Sequence, residues 1–173
     1  MAVVLGRDYL EMIGSNMKLI LTTIFAAIES GFVDLASLKN WADRCIDTIP
    51  QPRNWLIDLS LASSEQNALD VLRRALPEYG VMLDESYGEL LLGFWYLRLA
   101  NRKVSQEDFL VECIDIIDAY EVQELDGNEI VDGSLSESLG ESLATWAKTS
   151  EHHLNRLFEL RFVREEAAAF GVT

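Results

Sequence analysis

Apolar residues recur three and four positions apart along almost the whole chain, and no stretch reads as a convincing strand. That spacing matches the 3.6-residue turn of an amphipathic helix, so the chain is predicted to be all-α. The first helix is expected from about Tyr9 to Ser30, with Asp8 as N-cap and Glu11 three residues later. Its apolar stripe runs through Leu10, Ile13, Met17, Ile20, Leu21, Ile24 and Ile28, and Gly31 ends it. Asp34 caps a second helix, which Pro50 and Pro52 stop. A short helix from about Arg53 to Leu61 carries Trp55, Leu56 and Leu59. Ser63 and Ser64 break it and start the next, which passes Val71 and Leu72 and ends near Pro77 and Gly80. Asp84 or Ser86 opens the most apolar helix, centred on Leu90 to Leu97 and suited to the middle of a bundle. Ser105 caps the helix whose inner face is Phe109, Leu110, Cys113, Ile117 and Tyr120.

The helical period is lost from Glu121 to Gly133, which reads as a loop with room for a brief extended piece at Ile130 and Val131. Ser134 with Glu137 is expected to cap a helix through Leu139, Leu143 and Trp146. Thr149 or Ser150 should separate it from a last helix through Leu154, Leu157, Phe158, Phe162 and Val163. The expected architecture is an irregular bundle of about eight helices in a single domain over residues 1–173, a length that supports one core. No repeat is found, and the tryptophans at 41, 55, 95 and 146 follow no fixed spacing.

Charge narrows the function. The chain carries 14 Lys and Arg against 29 Asp and Glu, a net −15. Autonomous phosphate-driven binding of nucleic acid needs the opposite balance. The excess is also localised. Residues 104–147 contain 12 acids and no Lys or Arg, whereas residues 1–103 are at −3 and residues 148–173 are neutral. Asp108, Glu112, Asp115 and Asp118 repeat at helical neighbour spacing opposite Phe109, Cys113 and Ile117. Glu121, Glu124, Asp126, Glu129 and Asp132 follow them. Like charges at that spacing destabilise a helix by a few tenths of a kcal/mol per pair. Two readings compete for such a stripe: a solvated face that keeps the protein soluble, and a docking surface for a basic partner.

Other chemistry is sparse. Cys45 and Cys113 lie on or beside apolar stripes and read as reduced, buried thiols; Glu112 and Asp115 beside Cys113 should raise its pKa. The stretch from Asp126 to Glu137 resembles a calcium loop at Asp126, Asn128 and Glu137, but Ile130 and Val131 occupy a ligand position and the glycine turn. Neither His152 nor His153 has Glu three residues before it, as a di-iron bundle requires, and adjacent side chains point about 100° apart. One of the two is expected at the surface and the other at the core edge. No nucleophile elbow, dinucleotide fingerprint or phosphate loop is present. Cofactors and metals are therefore expected to be none, and enzymatic activity is not expected. The basic doublets Arg73-Arg74 and Arg102-Lys103 sit near helix ends, where the macrodipole favours cations. The aromatic run Phe94-Trp95-Tyr96 reads as core. The N-terminus lacks the basic start and long apolar run of a signal peptide, and the longest apolar run, 19–28, is too short for a membrane span. A cytoplasmic location is expected.

In size, acidity, the acid-only stretch and the missing catalytic motifs, the chain looks like the bacterial immunity proteins that neutralise a cognate toxin. That resemblance is one of kind and covers the chain loosely. It implies that residues 104–137 bind a basic, nuclease-type toxin surface, either plugging its active site or docking beside it. Asp108, Glu112, Asp115 and Asp118 would make charge-assisted contacts to Arg and Lys, with Tyr120 as an aromatic anchor. A helical adaptor, chaperone or regulatory subunit, and a DNA mimic, are the competing binding classes. Oligomeric state is left open.

Overall fold

The computed structural model describes residues 7–122, 130–131 and 134–159, with side chains for 17–122 and 135–159. Seven α-helices make up these residues: α1 (Arg7–Glu29), α2 (Leu35–Thr48), α3 (Asn54–Ser60), α4 (Glu65–Ala75), α5 (Glu85–Ala100), α6 (Gln106–Tyr120) and α7 (Glu137–Phe158). A 3₁₀ turn (Leu76–Tyr79) continues α4, and Gly80 closes it in the left-handed region at φ 61°. Between α6 and α7, β1 (Ile130–Val131) pairs antiparallel with β2 (Ser134–Leu135) over two residues each, which is the brief extended piece anticipated there.

Local capping sets most boundaries. The Asp34 carboxylate accepts from Ser37 N–H at 2.7 Å, Ser64 from Asn67 N–H at 3.1 Å and Asp84 from Ser86 N–H at 3.1 Å. Ser105 accepts from Asp108 N–H at 3.0 Å and returns its hydroxyl proton to the Asp108 carboxylate at 2.7 Å. Each such bond satisfies an amide that the helix itself cannot.

Three expectations need correction. Asp8 is not a cap, because α1 already includes Arg7. Ser134 does not cap α7, because it is held in the β-ladder opposite Val131; Ser136 caps instead, accepting from Leu139 N–H at 3.1 Å. The expected break at Thr149 or Ser150 does not occur, so among the described residues seven helices replace the anticipated eight. Thr149 donates to Thr145 O at 3.2 Å, and Ser150 donates across the bundle to Leu90 O at 3.1 Å. With their hydroxyls used this way, neither competes for the local amides, and the helix runs on. Phe162 and Val163 lie outside the described residues.

Packing follows the apolar stripes. Met17, Ile20, Leu21, Ile24 and Ile28 of α1 are buried, as are Leu38, Ala42 and Cys45 of α2, and Trp55, Leu56 and Leu59 of α3. Helix α5 packs on α1, α6 and α7, which gives it the central position its composition demands. Where α5 crosses α7, Gly93 brings the two backbones together: a Cβ there would lie 2.6 Å from Trp146 O. Gly88 plays the same part against α6, where a Cβ would lie 2.8 Å from Tyr120 Cβ. The α5–α7 and α5–α6 pairs therefore fix α6 against the core along one side and leave its other side outward. Among the described residues, no helix is long and apolar enough to cross a membrane.

Candidate functional site

Helix α6 buries Phe109, Leu110, Cys113, Ile116 and Ile117. What remains is a face on which Asp108, Asp115 and Asp118 are exposed and Glu112 is half-buried. The four acids singled out in the sequence therefore share one surface, as their spacing requires. Among the described residues no Lys or Arg nitrogen lies within 4.0 Å of any of the four carboxylates.

Two residues that the sequence reading did not single out lie on the same arc. Val111 is 54% exposed and Ile114 is 46% exposed, among the highest values for large apolar side chains here. Their positions, three apart and between the acids, were visible in the spacing. Their exposure depended on which neighbours α6 would find.

The last of these acids is also placed against the helix's own field. An α-helix carries roughly +0.5 charge at its start and −0.5 at its end, so acids suit the first turn and cations the last. Glu107 and Asp108 occupy the first turn, but the last turn contains Asp118 and no basic residue. Glu121 follows in the left-handed region at φ 49° and is exposed.

Tyr120 is turned inward. Its ring meets that of buried Tyr87 edge-on at 5.1 Å, and the Tyr87 hydroxyl donates to the Glu29 carboxylate. Burial and the Glu29 charge raise the pKa of Tyr87, and burial raises that of Tyr120, so both phenols stay protonated. Tyr120 is half-buried and anchors α6 to α5, which leaves less of it for a partner than the sequence reading assumed. Glu124, Asp126, Glu129 and Asp132 lie outside the described residues.

Cations approach at one end. A shallow depression of about 730 Å³ beside the first turns of α6 is lined by Trp95, Arg98, Arg102 and Lys103 together with Asp108 and Glu112. Arg98 donates to Ser30 O at the end of α1 and stacks on Trp95, 4.5 Å from the ring centroid. Arg102 adopts φ 55°, the left-handed conformation that usually selects glycine after a helix, while Lys103 N–H closes the turn onto Arg98 O at 2.8 Å. The Arg102-Lys103 doublet thus does more than face the end of its own helix: it gives α6 a positive flank at its start.

Cys113 lies under the stripe, fully buried, and burial first and Glu112 second push its thiol up to about 12. Cys45 is likewise buried and pushed up to about 12. Neither is poised for nucleophilic work. His152 is exposed and His153 half-buried, the division expected of the pair; burial, His152 and Arg156 lower the pKa of His153. Among the described residues no three His, Cys, Asp or Glu side chains gather as metal ligands.

Comparison with known proteins finds no matching family model, no matching curated protein and no matching solved structure. The functional reading therefore rests on the chemistry of this chain.

Proposed function

We propose that the chain is a stoichiometric, immunity-type inhibitor that holds a basic protein toxin, of nuclease character, through the outer face of α6. The observation that carries this reading is the combination on that face of four carboxylates, none in a salt bridge, with exposed Val111 and Ile114. Solubility alone asks for neither part: mixed charges would serve it better, and exposed β-branched side chains work against it. A partner bearing Arg and Lys would turn the repulsion into charge-assisted hydrogen bonds and cover the apolar pair.

The test is capture and calorimetry. Wild-type chain should retain one basic protein at one-to-one stoichiometry, and cells that make the chain should survive that protein. The variant D108K/E112K/D115K/D118K should fold normally and bind at least about 3 kcal/mol more weakly, since several buried charge pairs are lost. Unchanged affinity at about 150 mM salt, near an 8 Å screening length, would remove the face from consideration.

A second reading, a helical adaptor, draws on a different feature. Met82 is 78% exposed and rims a groove of about 430 Å³ with Leu19, Val81 and Leu90. Exposed methionine suits promiscuous binding. An adaptor would capture several weaker partners and would lose them on substitution of Met82 rather than of α6.

A further inference from the structure

We infer that the element seated on α6 is a basic amphipathic helix running antiparallel to it, with its carboxyl end over the Trp95–Arg102–Lys103 depression. The inference rests on the binding reading above and specifies the shape and direction of what binds.

Three observations carry it. The first is the form of the surface. Asp108, Val111, Asp115 and Asp118 follow one another along one helix, so the exposed strip is narrow and about 15 Å long, given a rise of roughly 1.5 Å per residue. An apolar pair three residues apart, edged by acids, is complementary to another helix with an apolar ridge edged by Lys and Arg. A second copy of this chain does not fit, because it would set acid against acid.

The second observation is the polarity of the strip. Its far end, at Asp118 and Glu121, carries acids and no basic residue of α6 itself, while Arg73 of α4 acts on Tyr120 on the inner side of the same turn. Its near end opens into the depression where Arg102 and Lys103 stand beside Asp108. A helix has a positive amino end and a negative carboxyl end with unsatisfied carbonyls. Antiparallel seating puts the amino end over Asp118 and Glu121 and the carbonyls over Arg102 and Lys103. Parallel seating reverses both and is repulsive at each end.

The third observation concerns which cations are available. Arg98 is committed to Ser30 O and Trp95. Arg102 is exposed and held there by a left-handed backbone that a non-glycine residue adopts at some cost. Lys103 is also exposed, 6.0 Å from the Phe32 ring centroid, and its charge also acts on the Asp34 carboxylate. Arg102 can reach the last carbonyls or the terminal carboxylate of a guest, and Lys103 adds positive charge beside it.

The experiment uses the full chain, isotope-labelled for amide NMR, and a synthetic Leu/Lys amphipathic peptide of about 18 residues with a free carboxyl end. A nitroxide is placed at one peptide end or the other. The carboxyl-end label should broaden the amides of Trp95 and of 102–106, and the amino-end label those of 118–121. Replacing Arg102 and Lys103 by Glu should abolish the difference between labels, whatever the added acids do to overall affinity for the cationic peptide. Reversed broadening, identical broadening from both ends, or no binding at about 1 mM peptide would each overturn the inference. So would sedimentation as a dimer with α6 amides protected. A natural partner that is still captured in those cases leaves the binding reading standing. Directional peptide binding with no stoichiometric natural partner sinks that reading and keeps this one.

Discussion

Gly93 and Gly140 look alike in sequence and should behave oppositely. A side chain at Gly93 meets Trp146 O and Ser150 Oγ at the α5–α7 crossing, whereas nothing lies within 4 Å of a Cβ at Gly140. Gly93→Ala should destabilise by about 2–3 kcal/mol, because backbone must move to admit it. Gly140→Ala should stabilise by about 0.5–1 kcal/mol, the usual helix-interior difference. Urea unfolding of the two variants checks both; equal midpoints would mean that the helices do not cross at Gly93. The cysteines give a prediction in pH. Their thiols are pushed from an ordinary 9.0 up to about 12 in the folded chain. A raised folded pKa means that the unfolded chain ionises first. The thiols' contribution to stability is therefore complete below about pH 9 and is lost as pH rises toward 12. Native protein at pH 8 should not react with a thiol reagent until denaturant is added; rapid native labelling of Cys45 or Cys113 would contradict their burial.

Among the elements, α6 is the one whose sequence disagrees with its own stability. Asp118 stands in a last turn that lacks any cation, three residues after Asp115. Asp118→Lys corrects the dipole and the repulsion together and should raise stability by about 0.5–1 kcal/mol. That is about 1–4 °C in the melting midpoint for a chain of this size. The same change should weaken partner binding. Stability and affinity moving in opposite directions is the signature of a residue kept for recognition. If both rise, or neither moves, the acid is there for solvation alone. This much of the site was legible in the sequence, because neighbour spacing on a helix is local arithmetic. Val111 and Ile114 were in the same arithmetic but were not recognisable as exposed, since apolar residues ordinarily turn inward. Tyr120 was read both as inner-face and as anchor; Tyr87 and Glu29, 33 and 91 residues upstream, decide for the first. In sequence, Thr149 and Ser150 suggest a cap and hence two helices where α7 is one, and only the partner carbonyl at Leu90 shows where the Ser150 hydroxyl goes.

For the whole molecule, the charge imbalance sets an opposed pair of salt effects. With a net −15, the folded chain repels itself, and most of the excess lies between 104 and 147. Raising ionic strength from about 0.05 to 0.5 M shortens the screening length severalfold. The melting midpoint should rise, by about 2–4 °C for each kcal/mol of repulsion relieved. Affinity for a basic partner should fall over the same range, mainly through a slower association rate. Calorimetry across a salt series reads both. A midpoint that stays flat would mean that the native fold already compensates its acids.

The periodicity and caps determined, without help from tertiary contacts, that this chain is helical, where five of its helices begin, and that α6 has an acidic side and an apolar side. Those features depend on residues within a turn of one another, where backbone geometry is fixed. The tertiary structure decided what α6 shows to solvent. Gly88 and Gly93 draw α5 close to α6 and α7, so one side of α6 is covered and Val111 and Ile114 are left out. It also brought Arg98, Arg102 and Lys103 beside the start of the acidic stripe. Such placements depend on which distant segments cover which faces, and burial energy across the bundle, rather than local spacing, selects among them.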